Sequence, residues 1–149
     1  DDPIVFPLAE AARDLGIVVS IHSGTGNCHA TRIGAVAERI PEVLVIMDHM
    51  GFPNAFEEGM AVCRANSNVV MGTTVLRFHK RWANNPEETV PLDVKRAVET
   101  LGPERVVFGS NLPEYRPVQM KRAIQRLELG EGSEALIFGG NLARIYGIS

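Results

Sequence analysis

The chain has 149 residues, of which 45% are hydrophobic and 22% charged, and its formal net charge is −3. These values are typical of a globular protein with a packed core, and the interspersed charges exclude the clustered basic face of a nucleic-acid-binding domain. No apolar run approaches the roughly 20 residues of a membrane span, so neither nucleic acid nor a membrane is an expected partner.

The two cysteines indicate a reducing environment. Cys28 and Cys63 form no CxxC pair and no disulfide framework, and no signal peptide is visible. A cytoplasmic location is therefore expected. Cys63 lies within a predicted helix and is expected to be part of the core. The sequence begins at Asp1 without a methionine, so a fragment or a processed product has to be considered.

Helical patterns alternate with short apolar runs along the whole chain. The predicted strands span residues 17–22, 43–49, 68–76 and 105–109, and the predicted helices span 7–16, 31–40, 56–65, 92–101, 117–127 and 133–146. Asn54 is the predicted N-cap of the third helix, and Gly139 with Gly140 interrupts the last one.

The order of these elements predicts an α/β fold. The strand runs are apolar on both faces, which is typical of parallel strands covered by helices. Successive β-α units predict a parallel sheet with right-handed crossovers. No linker divides the sequence, so we predict a single domain over residues 1–149. A flavodoxin-like doubly wound sheet is an alternative at this stage.

Polar side chains end three of the predicted strands. His22 ends the run IVVSIH, His49 ends VLVIMDH, and Asn111 ends VVFGSN. Ligands of parallel α/β proteins bind at these carboxyl ends. Neutral imidazoles on neighbouring strands can bind one divalent ion such as zinc, although two ligands alone hold it weakly. For each histidine the alternative is a structural role, with the ring bonded to a neighbouring carbonyl.

Several segments carry a pattern that extends over almost the whole chain: SIHSG (20–24), VIMDHMG (45–51), NVVMGTT (68–74), GPERVVFGSNLP (102–113) and NLARIYGI (141–148). They resemble, in this order, the fifth to eighth strands and the C-terminal motif of the amidohydrolase-related metal-dependent hydrolases. This branch includes aminocarboxymuconate-semialdehyde decarboxylase. The resemblance implies a parallel-stranded half of a TIM-like (β/α)8 barrel, with four strands and flanking helices.

The resemblance also implies a function. It indicates a metal-dependent hydrolase or decarboxylase of a small, carboxylated substrate, with His22 and His49 as ligands of a divalent metal, zinc in first place. His49 and Asn111 would be the catalytic residues. Two departures stand against this: no HxH motif occurs, and Asn111 replaces the catalytic aspartate of the family. An amide cannot accept a proton at neutral pH. Glu114 is the candidate substitute carboxylate, whereas Asp48 should point away from His49, because side chains alternate along a strand.

Arginines that follow two of the strands are candidate substrate-binding residues. Arg77 and Arg116 follow the third and fourth strands, where a guanidinium could pair with a substrate carboxylate. Ordinary polar loops are the alternative. His29, next to Cys28, and His79 also lie in loops after strands, and we expect them to be solvated rather than ligands.

Two functional hypotheses follow. In the first, the chain is the active-site half of an enzyme, and the missing metal ligands lie in an N-terminal half that this sequence does not contain. In the second, it is a non-catalytic half-barrel that dimerises and serves as an assembly or ligand-binding protein. Open edges of a curved parallel sheet are usually covered by another chain. The loss of the aspartate at Asn111 favours the second hypothesis.

Overall fold

The computed structural model describes residues 2–52, 54–74 and 90–148. The chain divides into two compact units, residues 1–72 and 73–149, each with its own internal packing. The expectation that all 149 residues form one domain stays a prediction.

The first unit consists of alternating helices and parallel strands. In chain order they are α1 (Val5–Asp14), β1 (Val19–His22), α2 (Ala30–Arg39), β2 (Val45–Asp48), α3 (Phe56–Ala65) and β3 (Val69–Gly72). β1 pairs with β2 and β2 with β3, so that Val19 lies opposite Val45, and Val45 opposite Val69. Because α2 and α3 each connect two neighbouring parallel strands, this unit has the β-α-β order that the sequence predicts.

Methionine side chains fill the layer between the sheet and α3. Met47 and Met71 are fully buried, and Met60 of α3 is 1% exposed. At Gly59 a Cβ atom would lie 3.2 Å from the Sδ of Met47 and 3.3 Å from the Cε of Met71, so the helix approaches the sheet closely here. The flexible thioether adapts to such irregular space better than a branched side chain does.

β1 and α1 are much less buried than the rest of the first unit. The residues of β1 alternate between half-buried and exposed, whereas those of β3 are all buried. Leu8 inside α1 and the flanking Ile4 and Leu15 are 70–74% exposed, and Ala9 is the buried residue of the helix. The prediction of strands buried on both faces is therefore confirmed for β3 and wrong for β1, which lies at the edge of the sheet.

The second unit begins at Thr73, and its described residues include one short strand. Its elements are α4 (Leu92–Leu101), β4 (Val106–Val107), α5 (Pro117–Gln125), α6 (Glu131–Ala135) and α7 (Asn141–Tyr146). The N–H of Thr73 donates to the carbonyl of Val107 at 3.0 Å. Fully buried apolar side chains from β4 and the helices form the core: Val94, Val106, Met120, Ile124 and Ile137.

Asn141 fixes the last helix to β4. Its side chain is fully buried, and Nδ2 donates to the carbonyls of Pro103 at 2.7 Å and Val106 at 2.8 Å. The preceding Leu136–Gly140 form a π-helical turn between α6 and α7, which confirms the predicted interruption. The asparagine of the C-terminal motif thus joins the start of α7 to β4 and to the turn before it through main-chain carbonyls.

The main differences from the sequence prediction concern element ends. The strand predicted at 105–109 is reduced to two residues, and the one predicted at 43–49 ends before His49. Asn54 is not the N-cap of α3, because Ala55 precedes the helix and no side chain caps it. Most of the loop with Arg77 and His79 lies outside the described residues.

Candidate active site

Two imidazoles lie side by side at the carboxyl ends of β1 and β2. His22 is the last residue of β1 and lies opposite Asp48, so His49 follows directly beyond the paired segment. The ring centroids of His22 and His49 are 4.5 Å apart, and the ring planes are inclined by 70°. The structure therefore brings the two predicted metal ligands together, and their role as ligands stays a prediction.

His49 reaches this position through a left-handed turn. The φ angles of His49, Met50 and Gly51 are 68°, 51° and 78°. Positive φ is uncommon outside glycine, although histidine adopts it more often than most residues. The Met50 side chain is 3% exposed, so packing holds the turn in place. Segments in sparsely populated conformations persist where their surroundings fix them, and they are frequent at functional sites.

Ser23 connects this turn to the end of β1. The residue is fully buried. Its N–H donates to the carbonyl of Asp48 at 3.1 Å, and its hydroxyl donates to the same carbonyl. The N–H of Gly51 in turn donates to the Ser23 hydroxyl at 2.9 Å. Sequence reasoning did not single out Ser23, although a small hydroxyl residue directly after a strand-ending histidine was a usable signal.

Asp48 lies nearer to His49 than side-chain alternation predicts. Its Oδ2 is 4.0 Å from the Nε2 of His49. The expectation that these side chains point to opposite sides is wrong, because alternation requires extended backbone and His49 has left it. Gly72 of β3 provides the space: a Cβ there would lie 2.8 Å from the Oδ1 of Asp48.

The loop after β1 carries a second polar cluster, which involves His29. Nδ1 of His29 lies 3.1 Å from the Oε2 of Glu58, and the N–H of Thr31 donates to the Oε1 of Glu58 at 2.8 Å. Burial raises the pKa of Glu58, but the hydrogen bonds from Thr31 and His29 outweigh it and lower that pKa below its ordinary value. The His29 side chain is 47% exposed, which agrees with the expectation of a solvated loop histidine.

A cavity of about 290 Å³ opens beside His22. Its lining combines apolar side chains from α1, β1 and α2 with Cys28, His29 and Arg32. This volume is at the lower end of small-molecule sites, and an apolar wall with a few polar groups is typical of them. The two loop residues singled out from the sequence, Cys28 and His29, thus border the same space as His22.

In the second unit, Asn111 and Glu114 form a pair. Nδ2 of Asn111 donates to the Oε2 of Glu114 at 2.9 Å, and the Asn111 carbonyl accepts the N–H of Glu114 at 3.0 Å. Asn111 has a φ of 61°, a conformation that asparagine tolerates well. Burial, followed by the charge and hydrogen bond of Glu114, raises the pKa of Tyr115 above its ordinary value. The amide at the strand end is therefore coupled to the candidate substitute carboxylate.

Arg116 is the one of the two predicted substrate-binding arginines that lies within the described residues. It is exposed, directly precedes α5 and lines a surface pocket together with Leu112 and Arg122. Arg77 falls in the segment that the structure leaves undescribed. Within the described residues, no group of three or more His, Cys, Asp or Glu side chains could hold a metal ion.

A scan against protein families matched the amidohydrolase model over residues 1–148. The chain belongs to the amidohydrolase family. A search of curated proteins found no match. No described helix is both long enough and apolar enough to cross a membrane.

Several solved structures are similar to the chain, which spans about half of their length. An uncharacterized TIM-barrel protein from Bordetella bronchiseptica has a TM-score of 0.77 and 21% identity, over 99% of this chain and 52% of its own. 5-carboxyvanillate decarboxylase from Sphingomonas paucimobilis has a TM-score of 0.69 and 19% identity, over 99% of this chain and 54% of its own. A dihydroxybenzoic acid decarboxylase from Polaromonas, with bound manganese and the inhibitor 2-nitroresorcinol, has a TM-score of 0.63 and 12% identity, over 96% of this chain and 53% of its own.

These similarities show the fold, which is that of half a TIM barrel with parallel strands and flanking helices. The predicted resemblance to the amidohydrolase-related enzymes is thereby confirmed. The flavodoxin-like alternative is not supported, because β1, β2 and β3 are neighbours in chain order, whereas a flavodoxin-like sheet has β1 between β2 and β3. One of the similar structures is also named as a TIM barrel.

Proposed function

We propose that His22 and His49 bind one divalent metal ion, zinc in first place, and that the chain is the histidine-bearing half of a hydrolase or decarboxylase. The observation that carries this proposal is the 4.5 Å separation of the two ring centroids. Two imidazoles bound to one tetrahedral zinc, with Zn–N bonds of about 2.0–2.1 Å, have centroids roughly 5 Å apart. The observed separation is thus close to the one that a shared ion requires.

The metal, when bound, would supply Lewis-acid polarisation of the substrate or of water. The residues of this chain would do the rest. His22 and His49 would each hold the ion by one ring nitrogen. Asn111 cannot accept a proton, so we assign the proton-accepting role to Glu114, whose Oε2 is held by the Asn111 amide at 2.9 Å. Asn111 would thus orient the carboxylate rather than replace it.

The proposed substrate is a small carboxylated molecule. Two of the similar structures are named as decarboxylases, of 5-carboxyvanillate and of dihydroxybenzoic acid. Arg116, exposed and lining the pocket before α5, is a proposed partner of the substrate carboxylate, since a planar guanidinium pairs well with it. The same role for Arg77 stays a prediction.

The two imidazoles need additional ligands, because catalytic zinc commonly has three from the protein. We propose that these come from the other half of a barrel, since the similar structures are about twice as long as this chain. We propose that this half belongs to the same polypeptide.

Metal analysis of the protein produced from its complete reading frame tests the proposal. We expect about one divalent ion per protein, and His22→Ala and His49→Ala should each weaken its binding by more than about 100-fold, beyond the effect of a supporting residue. His29→Ala is the matched control and should leave the affinity unchanged. The absence of a stoichiometric ion, or an equal loss in all three variants, would contradict the proposal.

The exposed edge of the first unit favours a second candidate, a half-barrel that assembles with another copy. Among the described residues, β1 lies at the edge of the sheet and is partly exposed, and the apolar side chains of Ile4, Leu8 and Leu15 are exposed. Such edges invite pairing with another chain. Light scattering or sedimentation of the 149-residue chain should then give a dimer, and a stable monomer would exclude this candidate.

A further inference from the structure

We propose that Ser23 is the positioning residue of the histidine pair: its buried hydroxyl fixes the turn that holds His49 beside His22. The inference rests on the proposed function for its significance, because it gives the separation of the two imidazoles a structural cause. It concerns residues of the first unit alone.

The hydrogen bonds of Ser23 span the whole left-handed turn. The carbonyl of Asp48, directly before the turn, accepts both the N–H and the hydroxyl of Ser23. The N–H of Gly51, at the end of the turn, donates to the same hydroxyl at 2.9 Å. The one side chain therefore holds the residues on both sides of His49 and Met50.

A hydroxyl is required because the position needs a donor and an acceptor in the same atom. Serine provides both, whereas alanine provides neither. Without the hydroxyl, the buried N–H of Gly51 loses this acceptor, and it can regain one only if the turn moves. Since His49 and Met50 have positive φ, relaxation of the turn would carry the His49 imidazole with it.

Ser23 is also the residue next to His22 in the chain. A change in its bonding therefore alters the relation of the two imidazoles directly. By contrast, the pairing of β1 with β2 along Val19–His22 is made by main-chain groups and does not need the hydroxyl. The positioning role can thus be separated from a general role in holding the sheet together.

The test compares Ser23→Ala with Ser20→Ala, the same chemical change at an exposed position of β1. The first measurement is the nuclear Overhauser effect between the ring protons of His22 and His49, in the metal-free protein with labelled histidine. It should be present in the wild type and in Ser20→Ala, and lost or at least halved in Ser23→Ala. The second is zinc affinity by competition, which should fall about 10–100-fold in Ser23→Ala alone, as for other residues that orient metal ligands.

An unchanged Overhauser effect in folded Ser23→Ala would overturn the proposal. If the wild type from the complete reading frame shows the effect but binds no zinc, the metal proposal alone is refuted, and the positioning role is judged on the Overhauser effect. If Ser23→Ala does not fold, the same two measurements are made on Ser23→Cys. This variant keeps the shape of the side chain but has a weaker donor and acceptor. We expect a reduced Overhauser effect and weaker zinc binding in that variant, and wild-type values for both would overturn the proposal.

Discussion

Two buried hydroxyls stand directly after strands, one in each unit, and their hydrogen bonds are alike. Ser23 follows β1 and bonds the carbonyl of Asp48 and the N–H of Gly51. Thr73 follows β3, donates to the carbonyl of Gly109 at 3.2 Å and accepts its N–H at 3.1 Å. In both cases one side chain bonds a main-chain donor and a main-chain acceptor at or just beyond the end of the next strand.

The polar residues that lie near these hydrogen bonds, His49 and Asn111, differ in chemistry but both have a positive φ. His49 has a φ of 68° and lies beside a second imidazole, whereas Asn111 has a φ of 61° and lies beside a carboxylate. Asparagine and histidine both tolerate this conformation. The same kind of main-chain support thus accompanies an imidazole after β2 and an amide after β4.

The largest predicted effect is that of Ser23→Ala on stability. The free energy of unfolding should fall by about 2 kcal/mol, because a buried donor loses its acceptor. Urea unfolding measures the loss, and Ser20→Ala should stay within about 0.5 kcal/mol of the wild type, as exposed substitutions usually do. If the two variants were equally stable, the hydroxyl would have no role in the turn.

Thr73→Val tests whether the second hydroxyl is only structural. The substitution keeps the shape of the side chain and removes both bonds to Gly109, so we expect a loss of about 1 kcal/mol in the free energy of unfolding. The Overhauser effect between His22 and His49 should be unchanged. A weakened effect, similar to that of Ser23→Ala, would show that the two hydroxyls do not differ in function.

Asn111→Asp restores the residue of the family motif and should destabilise the protein by about 0.5–1 kcal/mol at neutral pH, a typical value for partly exposed charges. The new carboxylate would face Glu114 where Nδ2 now lies 2.9 Å from its Oε2. Like charges raise the pKa of one group, so the loss should disappear on acidification. The double variant with Glu114→Gln is the control and should be as stable as the wild type.

The smallest effect is expected for Glu58→Gln, at about 0.5 kcal/mol. Because folding lowers the pKa of Glu58, its stabilisation is fully present above the ordinary value of 4.5 and is lost as the pH falls through the folded value. Urea unfolding of wild type and variant should therefore differ most near neutral pH and converge in acid. A difference that grows on acidification would contradict the assignment of the Glu58 hydrogen bonds.

Sequence patterns brought the two histidines to the ends of neighbouring strands but did not predict the turn after β2. His22 and His49 were found because apolar runs end at them, which depends on local sequence alone. The contact of Asp48 with His49 was missed, because alternation assumes extended backbone and His49 is left-handed. The role of Ser23 was also missed, because its partners lie one β-α unit further along the chain. The partial exposure of β1 depends on which elements pack against it, and the local sequence does not contain this information.

The consecutive order of β1, β2 and β3 has a consequence for how the first unit forms. Each strand pairs with the next one in the sequence, so every pairing closes a loop of only one β-α unit. Pairings that are close in sequence form faster than distant ones. A single short-range pairing, that of β1 with β2, therefore places the ends of the two histidine-bearing strands side by side, which favours early formation of this part of the fold.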